Sequence, residues 1–208
     1  ITDVAGAPLG GIAVNTLGPN GEFVHSRTTD ALGQYATTVG LTAGNYYVRT
    51  TNSLGYIDEV YDNVVCVQCN PRDGAPVAVT AGATTTGINF GLATGGLITG
   101  TIVASGGSPI DRVSITVHTA AGVQLTSGMT NPAGQYRTGA LPSGNYYVRT
   151  RNSLGYTDEV YNDRECSNCN PTLGNAVTVT NDATTAGVDF TLVLGGRISG
   201  AVTTSGGA

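Results

Sequence analysis

Lysine is absent from these 208 residues: the nine basic side chains are all arginine, so no bond through an ε-amine can form. Tryptophan is absent too, methionine occurs once and phenylalanine three times, which leaves ten tyrosines as the aromatic supply. Charged residues make up only 11% of the chain and the net charge is −5. No basic stripe is available to meet phosphates, and that excludes a nucleic-acid surface. No apolar run is long enough to span a bilayer. No ten-residue segment carries an apolar stripe at i, i+3, i+4, i+7, which excludes amphipathic helices of ordinary length. Nucleophile-elbow, zinc-protease, P-loop and paired-carboxylate signatures are missing. The two histidines, His25 and His118, stand at non-equivalent places in the two halves. An enzyme is not expected.

What is present is repetition. GNYYVRT at 44–50 recurs unchanged at 144–150, and residues 41–100 set against 141–200 give 35 identities in 60. NSLGY, DEVY and a Cys-x-x-Cys-Asn-Pro element belong to that shared set. Upstream the register slips by one, since GQY at 33–35 answers GQY at 134–136. GRISGAVTTSGGA at 196–208 then restarts the pattern of GLITGTIVASGGS at 96–108, while Ile1 aligns with Ile102 and Val202. Internal repeats fix architecture before anything else is read. The expected division is a first repeat at 1–95 with its opening strand incomplete, a second at 96–195, and the first strand of a third at 196–208. With no initiator methionine and no signal peptide, the chain reads as a window on a longer array.

Within the second repeat, LITGTIVA, VSITVH, VQLTS, QYRT, NYYVRT, AVTVT and GVDFTLV alternate apolar with polar residues, and SGGSP, AAG, NPAG and LPSG punctuate them. Period-two alternation buries one side of each strand and leaves Thr, Ser and Arg on the other. Seven short strands in about one hundred residues predict a β-sandwich. In NYYVR the adjacent Tyr146 and Tyr147 must face opposite sides, one to the core. The order G-x-I-x-G, P-I-x-x-V-x-I-x-V, G-Q-Y, L-P-S-G-N-Y-Y-V resembles bacterial carboxypeptidase-regulatory-like domains, also called transthyretin-like or prealbumin-like repeats. In the first repeat APLGGIAV, GQY and LTAGNYYV carry the same resemblance. It implies an all-β chain of tandem seven-stranded Ig-like/prealbumin-like sandwiches arranged end to end, without catalysis, of the kind found in secreted and surface proteins as stalks, spacers and parts of adhesins. The related collagen-adhesin B-type domains often carry Lys–Asn cross-links, which a lysine-free chain cannot make.

Cysteine is the remaining covalent device. Cys66 and Cys69, and Cys166 and Cys169, form one Cys-x-x-Cys per repeat. Local disulfides Cys66–Cys69 and Cys166–Cys169 would staple an irregular loop in an oxidising compartment. Disulfides between repeats or chains, a zinc site and free thiols are the alternatives. The two pairs lie 97 residues apart, which disfavours one shared metal. Haem attachment fails, because Asn70 and Asn170 stand where histidine is required. The same loop concentrates acid: Asp58, Glu59 and Asp62 recur as Asp158, Glu159 and Asp163. Their number suits calcium and their spacing does not; the alternative is a solvated acidic loop partly paired with Arg49 and Arg149. No other cofactor is implied. Tyr56, Tyr61, Tyr156 and Tyr161 offer a platform on which a sugar could stack.

At each junction, INFGLATGGLITG and GVDFTLVLGGRISG, only Gly95–Gly96 and Gly195–Gly196 separate the last strand of one repeat from the first of the next. Linkers so short hold neighbours in a fixed relation and propagate a rod. The expected function is a structural segment of a secreted bacterial filament, stalk or surface fibre, located outside the cell. The alternatives are a carbohydrate-binding or adhesive module and an accessory domain of a larger secreted hydrolase. The expected partners are further repeats, joined by covalent continuation or by self-association in which the strand Arg197–Thr203 adds to an open edge of the next chain. Continuation is preferred, because Val202–Ala208 duplicates Ile1–Ala7. No N-linked sequon exists once Pro171 is counted, and the threonine-rich faces offer hydroxyls to O-linked sugar.

Overall fold

The computed structural model of the chain describes residues 1–202. Among these, the only helical turns are two three-residue 3-10 segments, Pro71–Asp73 and Pro171–Leu173, and the fold is all-β.

The second repeat shows why the alternating segments fold as they do. Gly144–Arg151 turns Tyr146, Val148 and Thr150, every second residue, to one buried side, as the pleat requires, and Arg149 is buried on the other. Of the tyrosine pair, Tyr146 is therefore the core residue, and its hydroxyl donates to the Pro142 carbonyl at 2.8 Å. Ser114–His118 lies between this strand and Gln124–Met129, antiparallel to both. Glu159–Val160 and Ala176–Val179 also pair with Gly144–Arg151, and Arg164–Glu165 pairs with Glu159–Val160. The opposing sheet is built on Leu97–Ala104. Gln135–Arg137 flanks it antiparallel, while Thr184–Thr185 and Phe190–Leu192 run parallel to it. Ile98, Ile102 and Phe190 from this sheet meet Ile115, Val117 and Val148 from the other in one buried cluster. Gly100 lets the flanking segment at Val188 lie close against this strand, since a Cβ there would run into the Val188 carbonyl oxygen.

The seven expected segments all contain strands, with ends shifted by at most three residues. Sequence patterning overlooked Glu159–Val160, Arg164–Glu165 and Thr184–Thr185, two-residue pieces too short to show a period.

In the first repeat the larger sheet recurs. Ala13–Leu17 lies between Phe23–Thr28 and Gly44–Thr51, with Glu59–Val60, Val64–Val65 and Val77–Val79 extending the array. The other sheet is reduced to Thr2–Asp3 beside Gly91–Leu92. The strand expected over 196–208 is not formed at 196–202, where Ile198 and Val202 are fully exposed; residues 203–208 lie outside the described residues.

The Gly95–Gly96 connection is tied on both sides. Gly95 N–H donates to the Gly55 carbonyl at 2.9 Å, and Gly96 exchanges two backbone hydrogen bonds with Leu141 at 2.8 and 2.9 Å. A Cβ on Gly95 would sit 2.7 Å from Ala140 Cβ and 3.1 Å from Ile57 Cγ1. Residues of both repeats therefore close on the two glycines.

Candidate functional site: the stapled acidic loop

The loop that follows GNYYVRT carries every candidate residue, and both repeats build it in the same way. Asn52 organises its start. Its side-chain oxygen accepts from Leu54 N–H at 2.9 Å and Tyr56 N–H at 3.3 Å, an Asx turn, while its amide donates to the Tyr56 carbonyl and to Asp58 Oδ1. Asn152 repeats all four bonds. Thr50 and Thr150 then receive the chain as it returns: their hydroxyls accept from Glu59 N–H at 2.9 Å and Glu159 N–H at 2.8 Å.

The cysteines close as Cys66–Cys69 and Cys166–Cys169, with Cα atoms 4.8 and 5.1 Å apart. Cys66 and Cys166 are buried, and the backbone N–H of each donates to the carbonyl of Asp58 or Asp158. Beyond the staple, Asn70 and Asn170 cap the 3-10 turns by accepting from Arg72 and Thr172 N–H. These asparagines thus replace the ligand that haem attachment would require with a backbone cap. Asn63, Gln68, Asp163 and Asn168 adopt left-handed φ, which tightens the loop at matching positions.

The six carboxylates occupy three kinds of environment. Asp58 and Asp158 are partly buried and held by their asparagines; burial raises their pKa and the asparagine bonds pull it back. Glu59 and Glu159 are buried, and in each Oε2 has no hydrogen-bond partner. Burial, and then the Asp163 and Glu165 carboxylates, push Glu159 up to about 7; Glu59 is raised by burial and by Asp62. Asp62 and Asp163 are exposed. Among the described residues no three His, Cys, Asp or Glu side chains gather as a metal-ligand set.

The expected pairing of Arg49 and Arg149 with this acid is not made. The one ion pair among the described residues is Arg112–Asp111 at 3.6 Å. Arg149 is buried and reaches the Cys169 carbonyl at 3.5 Å, and Nε of both Arg49 and Arg149 lacks a partner. Paired across from Val60 and Val160, they lie on the same face as Asp58 and Asp158, whose carboxyls they pull down in pKa without coming within ion-pair distance.

The four tyrosines are half-buried and packed. Tyr61 meets Phe90 edge-on at 6.1 Å and Tyr161 meets Phe190 at 6.0 Å, so part of each ring is committed to the core. A cavity of about 360 Å³ lies beside Tyr61, lined also by Thr2, Asn63, Asn89 and Phe90. Another of about 250 Å³ lies where the repeats meet, between Arg49, Tyr56 and Asp58 on one side and Leu125 and Ala140 on the other. Taken together, these bonds hold the loop's shape: the polar groups of Thr50 and Asn70 are spent on backbone, and those of Asn52 on backbone and Asp58. Those three residues were overlooked as organisers, although Asn52 and Asn70 stand in motifs written twice.

Residues 97–193 match the family model described as the carboxypeptidase regulatory-like domain. No curated protein sequence matches the chain. Among solved structures, similarity extends to the Bacillus anthracis TIE protein, at 16% identity and a TM-score of 0.38, over 93% of this chain and 32% of that one. The chain thus spans about a third of that protein. A minor pilin of Streptococcus agalactiae is similar at 14% identity and TM-score 0.35, over 95% and 89% of the two chains. The shaft pilin SpaA of Lactobacillus rhamnosus GG is similar at 11% identity and TM-score 0.38, over 92% and 90%.

Proposed function

With the second repeat a member of the carboxypeptidase regulatory-like domain family, we propose that this chain is a structural segment of a secreted bacterial filament, stalk or surface fibre. Its domains are the sandwiches at 1–95 and 96–195, set end to end, with 196–208 opening a further repeat. The observation that carries the reading is the tied junction. Gly95 and Gly96 are the residues that would have to flex; Gly95 is hydrogen-bonded to Gly55 and closed in by Ala140 and Ile57, and Gly96 is hydrogen-bonded to Leu141 and closed in by Val179 and Thr180. A connection of that kind fixes the angle between neighbours, and a fixed angle repeated along an array gives a rod.

The loop chemistry supports the same reading. Disulfides suit an extracellular location, and a loop whose asparagines and threonines are spent on its own backbone serves rigidity rather than turnover. The acidic residues serve no catalytic role in this reading, and neither does His118, which is buried and bonded to Thr116.

Electron microscopy of the natural material tests the proposal. Smooth fibres with an axial repeat of one or two domain lengths are expected. Discrete particles with no fibres would refute it.

A further inference from the structure

The two repeats meet at two separate points. At one, Gly95 N–H donates to the Gly55 carbonyl and Gly96 exchanges two backbone hydrogen bonds with Leu141. At the other, the stapled loop of the first repeat reaches the second: Cys66, Val67 and Gln68 share the cavity of about 250 Å³ with Leu125, Thr126, Gly139 and Ala140. Val67 is half-buried and packs against the apolar cluster of the second repeat, whose buried members all lie between Ile98 and Leu192. Bodies joined at one point can bend about it. A second contact, set to one side, removes that freedom.

The second contact has no backbone ladder behind it. Among the described residues, no hydrogen bond joins the main chain of Val67, Gln68 or Cys69 to any other group. Gln68 stands in the left-handed region at φ 58°, which residues other than glycine seldom adopt. What holds it there is the ring closed by Cys66 and Cys69, with Cα atoms 4.8 Å apart. Cys66 anchors that ring, buried and with its N–H on the Asp58 carbonyl at 2.7 Å, while Cys69 is half-exposed. The second repeat closes the same ring around Ser167, which is exposed. The staple is therefore shared by the repeats, and the apolar knob inside it is not.

We propose that the Cys66–Cys69 disulfide is a redox lock on the angle between the repeats. Oxidised, it holds Val67 against the second repeat; reduced, it releases Val67 and leaves the Gly95–Gly96 connection to act as a hinge. The proposal deepens the fibre reading above and rests on the tied junction that carries it. The reductant is a dithiol. Its thiolate attacks Sγ of Cys69, the half-exposed partner; the Sγ–Sγ bond breaks, and the Cys66 thiolate leaves and takes up a proton. The second thiol of the reductant then closes on its own sulfur and frees Cys69, which is protonated in turn. The protein disulfide is reduced to a pair of thiols and the dithiol is oxidised to a cyclic disulfide. With the ring open, Gln68 is free to leave the left-handed region and Val67 moves with it.

Nitrogen-15 relaxation of the 208-residue chain tests this, because it reads whether the repeats tumble as one body. The oxidised parent should show one common tumbling. Dithiothreitol should abolish it, with the strand chemical shifts of both repeats unchanged, and reoxidation should restore it. The double variant Cys66→Ser, Cys69→Ser should tumble as two bodies without reductant, whereas Cys166→Ser, Cys169→Ser should keep common tumbling until dithiothreitol is added. Val67→Ser leaves the staple closed and copies the second repeat, so it tests the knob even where loss of Cys66 unfolds the loop. It should loosen the junction in the oxidised protein. A reduced parent that still tumbles as one body, or a Val67→Ser variant as rigid as the parent, would overturn the lock and leave the fibre reading standing. An oxidised parent that already tumbles as two bodies would overturn both, since the tied junction itself would be gone.

Discussion

Replacing Glu159 by glutamine should stabilise the protein at neutral pH and remove part of its pH dependence. Glu159 is 4% exposed, its Oε2 has no partner, and Glu165 stands directly across the strand pair. No cation compensates it. Its pKa lies at about 7, against 4.5 for the free side chain. A carboxyl whose folded pKa exceeds its unfolded pKa is protonated in both states below about pH 4.5. There it costs nothing. As pH rises toward 7 the unfolded chain gives up its proton first, so stability is lost across that window and then levels off. At 1.36 kcal/mol per pKa unit the ceiling is about 3 kcal/mol; solvent near this short edge hairpin reduces it to about 1–2 kcal/mol. Urea unfolding of parent and Glu159→Gln at intervals from pH 4 to 8 measures it. The variant should gain on the parent by that amount between pH 4.5 and 7. Taking the difference between the two proteins cancels His118, whose pKa burial lowers and which acts in the opposite sense. A difference that stays flat from pH 4 to 8, or that grows as pH falls, would refute the reasoning.

Asn152→Ala removes the acceptor for Leu154 and Tyr156 N–H and the donor to Asp158, and should cost about 1–3 kcal/mol in chemical denaturation; Asn152→Asp, which keeps the turn but loses the donor, should cost less. Iodoacetamide should label no cysteine until the protein is reduced. Because each staple closes so short a loop, reduction should lower stability by only about 2 kcal/mol per bond. Gly100→Val, by driving a side chain into the Val188 carbonyl, should destabilise the second repeat by about 3 kcal/mol or more and leave the first unchanged, read from thermal unfolding.

The fold was legible because it rests on signals that sequence carries directly. The alternation in NYYVRT and SITVH follows the pleat, and the repeat copies it, so strands, turns and the opposite facing of Tyr146 and Tyr147 could be read off, though not which of the two is core. The loop was legible in its covalent staple and not in its polar interior. Nothing in the letters DEVY distinguishes Asp58, tied to an asparagine, from Glu59, turned into the structure without a partner. That difference arises from Thr50, which captures Glu59 N–H and fixes which way the next side chain points. The arginines differ from the alternative of a loop paired with acid in distance only: Arg49 and Arg149 share a face with Asp58 and Asp158 and act on them through space, without forming an ion pair. The partial sheet of the first repeat was visible only through alignment with the second.

That incompleteness has an energetic consequence that can be measured. Fifteen residues form the buried apolar cluster of the second repeat and eight that of the first. The difference lies largely at Tyr136, Leu141, Val179 and Val188, which are buried in the second repeat, while Tyr35, Leu41, Val79 and Ile88 at the matching positions are half-exposed. Each aliphatic or aromatic side chain withheld from the core forgoes about 1.5–3 kcal/mol of burial. The shared loops, caps and staples cannot offset that, because both repeats have them. The first repeat should therefore unfold at the lower temperature, and scanning calorimetry of the monomeric chain should resolve two transitions. Asn52→Ala should move the lower one and Asn152→Ala the upper. A single transition shifted equally by both asparagine variants would mean that the Gly95–Gly96 junction couples the repeats more strongly than the missing strand separates them.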